Sequence, residues 1–252
     1  MDANSWTPPE HPDPHRIKHS AVADTRNGLY EQALSKFLWF HKNALNFDTA
    51  QAGVRLSFAL ADWLELAAVY PAAQDAFVRT RDETEAAFHN DPSSFDLFLD
   101  LAALNRCLGD ELRTVDLFAV VAQRDHVTAR SLYPVAERYL IAAGRHRACA
   151  PFLEIESRLT KAMETYHLMK RREASRPDSI PKSAHDYYVR NVAVAETHYV
   201  RNVATLAALL VINDRADDAS KVCNEAIQIV ESDEAREVLL NARTGQLPKR
   251  AR

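Results

Sequence analysis

The sequence predicts an all-helical fold from three observations: glycine is scarce, apolar residues recur at helical spacing, and sustained alternation of period two is absent. Only 5 of the 252 residues are glycine, whereas β-sandwiches and doubly wound sheets need glycine at many turns, bulges and phosphate loops. From about Ile17 onward, apolar residues three and four apart are interrupted at short intervals by Gly, Pro or Asp-rich turns, which is the rhythm of helices joined by tight connections. A content of 47% hydrophobic and 26% charged residues places the chain among globular proteins with a real core.

Residues 1–15 carry Pro8, Pro9, Pro12 and Pro14, which remove backbone donors and restrict the residues before them, so this stretch reads as a flexible arm. Residues 16–160 read as four helix pairs. In the first, Gly28 marks the turn, and Tyr30, Ala33, Phe37 and Phe40 follow on one helical face. The small side chain at Ala33 lets the preceding helix approach closely while the aromatic residues fill the space on either side. The spacing returns with Tyr70, Ala73 and Phe77 behind a helix bearing Leu60, Ala61 and Leu64, this time without the glycine. A third instance has Gly109, Thr114, Phe118 and Val121 behind Phe98, Leu101, Ala102 and Asn105, and a fourth has Gly144, Cys149 and Leu153. Residues 161–184, with Lys170-Arg171-Arg172, Pro177 and Pro181, read as a basic helix extension and an exposed loop. Residues 185–244 read as a long helix to about Asn213 and a last pair with Asp214, Ala216, Ala219, Cys223 and Ala226, followed by a basic tail at 245–252.

On these residues the chain resembles the tetratricopeptide repeat (TPR) family, whose second helix begins with Gly-x-Tyr-x-x-Ala and then aromatic spacing. The resemblance covers about residues 17–230 and implies an α-solenoid of about five antiparallel TPR-like helix pairs. A non-repeat helical bundle is the alternative. The small positions 33, 73, 114, 149 and 219 are separated by 40, 41, 35 and 70 residues, against 34 in the standard repeat, so the units are degenerate.

The family places the first helix of each pair on a concave surface. The resemblance therefore implies a groove to which Arg55, Asp62, Glu65, Asp96, Arg106, Arg138 and Arg201 contribute polar groups and Phe58 and Leu99 apolar ones. Family members that clamp a C-terminal carboxylate use asparagine, lysine and arginine at positions where this chain has Val22, Ala59, Asp96 and Asp100. Acidic-tail recognition is thereby disfavoured. The segment Tyr188–Ala193 repeats as Tyr199–Ala204, offset by 11 residues, about three helical turns, which sets Arg190 and Arg201 on one face about 16 Å apart.

The function these features suggest is a non-catalytic scaffold presenting a helical groove to a peptide or partner protein. One alternative is a homodimer that buries the aromatic cluster of Phe37, Trp39, Phe40, Phe47 and Phe58. Another is a helical enzyme without a recognised motif. The sequence holds no GxSxG, HExxH, P-loop or dinucleotide fingerprint, so no catalytic residue and no cofactor is assigned. Cys107, Cys149 and Cys223 are too far apart for a metal motif and odd in number for a disulfide framework, and read as small buried residues. His11, His15 and His19 recur at four-residue intervals, but Pro12 and Pro14 stand against a helix that would bring the first two onto one metal, so no metal site is expected there. A net charge of −4 gives little attraction to nucleic acid. The apolar runs are too short for a membrane span and the first ten residues lack the pattern of an export signal, so a cytoplasmic location is expected.

Overall fold

The computed structural model describes residues 6–174 and 182–249, and the side chains of all of these except 172–174 and 182–194. Every regular element among the described residues is helical. In chain order they are α1 (Pro14–Arg26), α2 (Tyr30–Phe47), α3 (Ala52–Arg55), α4 (Phe58–Ala67), α5 (Pro71–Asn90), α6 (Phe95–Cys107), α7 (Glu111–Arg124), α8 (His126–Ala142), α9 (Ile155–Ala174), α10 (Lys182–Ile212), α11 (Ala216–Ile227) and α12 (Asp233–Ala242), with 3₁₀ turns at Thr49–Gln51 and His146–Phe152. The chain divides into two compact units, Met1–Tyr139 and Leu140–Arg252.

α1 begins inside the proline-rich stretch. Pro14 occupies its first turn, where a missing N–H costs nothing, and the Asp13 carboxylate accepts from the Arg16 N–H at 3.1 Å. The preceding arm rests against α2: the Trp6 ring stands edge-on to Trp39 with centroids 6.2 Å apart, and Lys36 Nζ lies 5.9 Å from the Trp6 centroid.

One turn geometry ends α1, α6, α8 and α10. At Gly28, Gly109, Gly144 and Asp214 the backbone enters the left-handed region with φ of 77°, 72°, 69° and 62°. The next N–H then reaches back five residues, from Leu29 to Asp24 O at 2.9 Å and from Asp110, Arg145 and Arg215 to Asn105, Leu140 and Leu210 O at 2.8 Å each. This Schellman closure satisfies carbonyls that a helix end leaves orphaned and turns the chain back on itself. Five residues beyond each left-handed residue stand Ala33, Thr114, Cys149 and Ala219, and every one is fully buried, as is Ala73 in the pair that lacks the glycine. The connection between α4 and α5 closes differently, with both Val69 and Tyr70 donating to Leu66 O.

In the first unit α1 packs on α2, α4 on α5 and α6 on α7. Their core contains Phe37, Leu60, Trp63, Leu66 and Phe77, with the Trp63 indole donating to Ala73 O at 3.1 Å. The buried face of α4 is Ala59, Leu60, Trp63 and Leu66, so Ala61, expected on the seam, lies exposed instead. An aromatic chain Phe88–Phe98–Phe118–Tyr133, with centroid separations of 5.5, 6.4 and 6.3 Å, joins α5, α6, α7 and α8. Asn105 donates to the buried Thr114 hydroxyl at 3.1 Å, so the one polar residue among the small positions has a partner.

In the second unit the segment after Gly144 is a 3₁₀ turn containing Pro151, not the α-helix expected for a fourth pair. Proline cannot donate to an i−4 carbonyl, and the chain restarts at Ile155. The basic stretch from Lys161 is the continuation of α9, and the loop placed around Pro177 and Pro181 lies outside the described residues. The second half of α10 packs against α9, α11 and α12, burying Tyr199, Val203, Ala204 and Leu206–Leu210.

The turn geometry makes two opposite substitutions informative. A Cβ at Gly109 would meet nothing within 4 Å, so Gly109→Ala tests backbone conformation alone and is expected to destabilise by about 1–2 kcal/mol. Asp214→Gly relieves the same constraint and is expected to raise the urea midpoint, with a gain below about 1 kcal/mol. Urea unfolding of both variants checks the pair of signs.

Candidate functional site

Four of the groove candidates in the first unit, Arg55, Asp62, Arg106 and Arg138, are engaged with the protein itself. Arg55, at the end of α3, is buried and grips Asp100 of α6 through Nη1–Oδ2 at 2.9 Å and Nη2–Oδ1 at 2.5 Å. Arg106 donates to Leu56 O at 2.9 Å, and Lys18 Nζ lies 2.6 Å from Asp62 Oδ2. These groups tie α1 to α4 and α3 to α6, which explains why charge occurs on the faces that meet there. Arg138 is exposed, with its guanidinium 4.4 Å from the Tyr139 centroid and a hydrogen bond to the Tyr139 hydroxyl, which itself donates to Ala102 O at 2.9 Å. Phe58, Glu65 and Asp96 point outward, Phe58 with 69% of its surface exposed, while Leu99 is half-buried.

His41 of α2 is a feature that the sequence did not single out. Its ring stands edge-on to Trp63 with centroids 6.1 Å apart, its carbonyl accepts from Arg55 Nη1 at 3.4 Å, and its Nδ1 and the neighbouring Arg55 Nε are buried without a partner among the described residues. Burial, assisted by the Arg55 charge and opposed by Asp100, pushes the His41 pKa down to about 4. The imidazole is therefore neutral at physiological pH.

The second unit holds an open cavity of about 600 Å³. Its walls are successive residues on one face of α10 (Glu196, Val200, Arg201), one face of α12 (Ala235, Val238, Asn241) and the extended segment Gln246–Lys249 that follows. The turn into that segment is at Gly245, where φ is 84° and a Cβ would come within 3.2 Å of Val211 Cγ1, so glycine is required for both conformation and space. Glu196 is committed to the rim: its carboxylate accepts from the N–H groups of Glu231 and Ser232 at 2.8 and 3.4 Å, just ahead of the first turn of α12. Partial burial works to raise the Glu196 pKa, but those hydrogen bonds, the Ser232 hydroxyl and the Lys170 charge outweigh it and hold the group below its ordinary value.

Arg201 is different. It is half-buried, lines the cavity, and has no hydrogen bond or ion pair among the described residues. Lys249 and Glu234, also in the lining, are likewise without partners among them. The lining thus mixes apolar Val200, Ala235, Val238, Leu247 and Pro248 with polar and charged side chains. The Arg190 side chain lies outside the described residues, so only the second member of the repeated Arg-Asn segment can be placed.

The thiols offer no nucleophile. Cys149 and Cys223 are fully buried, and burial pushes the Cys223 pKa up to about 11 and raises that of Cys107, so these two thiols stay protonated at neutral pH. Groups of three or more metal-binding side chains are absent among the described residues, and no helix there is long and apolar enough to cross a membrane. Comparison with family models, curated proteins and solved structures finds no match.

The buried groups of the first unit generate two predictions. Asp100→Ala strands the Arg55 guanidinium in the interior and is expected to destabilise by about 3–5 kcal/mol, read by urea unfolding. His41 has a folded pKa of about 4 against an ordinary value of 6.5, so the unfolded state takes up a proton in this window and the folded state does not. Its contribution is complete above pH 6.5 and declines as pH falls toward 4, by at most roughly 3 kcal/mol. In His41→Gln the stability loss over that window is expected to be smaller by this amount.

Proposed function

We propose that this chain is a TPR-like helical-repeat scaffold that holds an extended segment of a partner protein in the α10–α12 cavity, with Arg201 as its orienting cation. The observation that carries the reading is Arg201, half-buried, without a partner among the described residues and in the lining of a cavity whose other walls mix apolar and polar side chains. A guanidinium removed from part of its hydration is stabilised when a carboxylate or carbonyl of a ligand satisfies its donors. Pre-formed helical walls reduce the entropy lost on ordering an extended segment. The repeat part of the reading is supported by the recurring device of turn, five-residue offset and buried small residue. No chemical step is required, and free charge in the first unit is a poorer anchor because Arg55, Asp62 and Arg106 already have partners.

A second reading, self-association through the first unit, is favoured by the outward Phe47 and Phe58, 54% and 69% exposed, since exposed aromatic surface is stabilised by a second copy. Sedimentation velocity across a wide concentration range separates the two, because only this reading requires a dimer.

Arg201→Glu and the cavity-filling Val238→Trp are expected to leave the thermal midpoint close to that of the native chain. Affinity capture from native lysate, with retained proteins identified by mass spectrometry, should yield a partner that both variants lose, with the charge reversal weakening it about tenfold or more. A partner retained equally by native chain and both variants excludes the cavity as the binding site.

A further inference from the structure

We infer that the outer face of α1 carries a two-histidine site for a divalent transition-metal ion, with the Nε2 atoms of His15 and His19 as adjacent ligands. The two nitrogens stand 3.1 Å apart, while the ring centroids are 4.3 Å apart and the ring planes are inclined by 58°. The rings therefore converge at their Nε2 ends instead of stacking face to face. Metal–nitrogen bonds of about 2.0–2.1 Å to two atoms at this separation enclose an angle of roughly 100°, between the values for adjacent ligands of octahedral and tetrahedral ions. The separation is one that a single ion can bridge after a small reorientation of the rings.

The helix supplies the pre-organisation. Residues four apart occupy the same face, one turn above the other, and both imidazoles are exposed. The opposite face of α1 is fixed by burial of Ile17 and Ala21 and by the ion pair of Asp24 with Lys36. The proline argument applies to His11 and His15, which are separated in sequence by Pro12 and Pro14; it does not reach His15 and His19, because α1 starts at Pro14 and contains both. The neighbouring charges are already engaged: Arg16 pairs with Asp13, and Lys18 with Asp62.

Without metal, one ring's Nε2–H donates to the other's bare Nε2. An ion needs both Nε2 lone pairs, so the donor ring moves its proton to Nδ1, a change of tautomer with no net loss of a proton from a neutral pair. Remaining coordination positions face solvent and are filled by water. Two imidazoles favour copper(II) over zinc and nickel by the order of intrinsic affinities.

The test is titration of copper(II) alone into the metal-stripped full chain, by calorimetry and electron paramagnetic resonance, beside His15→Gln, His19→Gln and His11→Gln. The expected result is one saturable ion per chain with a two-nitrogen spectrum, weakened at least about tenfold in the first two variants and unchanged in the third. Because the pair is assembled only in the folded helix, copper should also raise the thermal midpoint of the native chain and of His11→Gln, but not that of the other two. Circular dichroism without metal should show all four chains equally helical, which separates lost ligation from lost folding. The inference is overturned if His15→Gln and His19→Gln bind copper as tightly as the native chain, or if no saturable binding is found.

Discussion

Close approach of helices at five small positions is the constraint on which the rest of the structure depends. Ala33, Ala73, Thr114, Cys149 and Ala219 have no exposed surface, and all but Cys149, which sits in the 3₁₀ turn, lie in the first turn of the second helix of a pair. A larger side chain there would push the helices apart and open the aromatic layers flanking the contact. The Trp63 indole can reach the backbone carbonyl of Ala73 because no side chain beyond a methyl intervenes. Thr114 is accepted at a position that otherwise takes alanine or cysteine because Asn105 satisfies its hydroxyl. At every position but Ala73 a left-handed turn residue five places earlier sets the register, so there the turn and the small residue act as one unit.

Charges are distributed according to what this packing leaves open. In the first unit, polar groups on facing helices meet each other: Arg55 meets Asp100, Lys18 meets Asp62, and Arg113 of α7 meets Glu85 of α5 at 2.5 Å. A partly buried charge left alone would be strongly unfavourable, so pairing is the condition under which it can sit there. The α10–α12 cavity departs from this rule, since Arg201 is partly withdrawn from solvent and has no partner among the described residues. That departure, more than the volume of the cavity, is the reason for proposing a ligand there.

The helical class and the turn positions were legible in the sequence because they rest on local signals: glycine at 28, 109 and 144, and small residues at constant offset from them. Pro151 was equally visible, yet its consequence depends on how the whole segment closes, and the expected helix is a 3₁₀ turn. Site reading fared less evenly. Spacing alone gives which face Arg55 and Arg106 occupy, but not that Asp100 and the Leu56 carbonyl wait for them 45 and 50 residues away. Arg201 was singled out through the groove register and the repeated Arg-Asn segment, whereas Val238, Asn241 and Lys249, which line the same cavity, come from α12 and the following segment, where no repeat register points. His41 gave no signal at all, since its low pKa arises from burial beside an ion pair formed by two other elements.

The basic helix α9 acquires its meaning from the cavity. Its Tyr166 stacks on Tyr199 of α10 with centroids 5.2 Å apart, and Lys170 lies 5.3 Å from the Tyr166 centroid while pairing with Glu231. Glu231 and Ser232 in turn donate their N–H groups to Glu196, and the Ser232 hydroxyl accepts from the Ala235 N–H at 3.2 Å to cap α12. A continuous set of contacts therefore runs from α9 through Glu231 to the start of α12 and back to α10, enclosing the rim of the Arg201 cavity. Lys170 contributes here by position: its charge is spent on Glu231 and supports the Glu196 carboxylate at the rim. An ammonium held in this way is a poor recruit for a phosphate backbone, because any such contact must first break an existing ion pair. Lys170, which composition alone would assign to anion binding, is better understood as part of the brace that keeps one wall of the cavity in place.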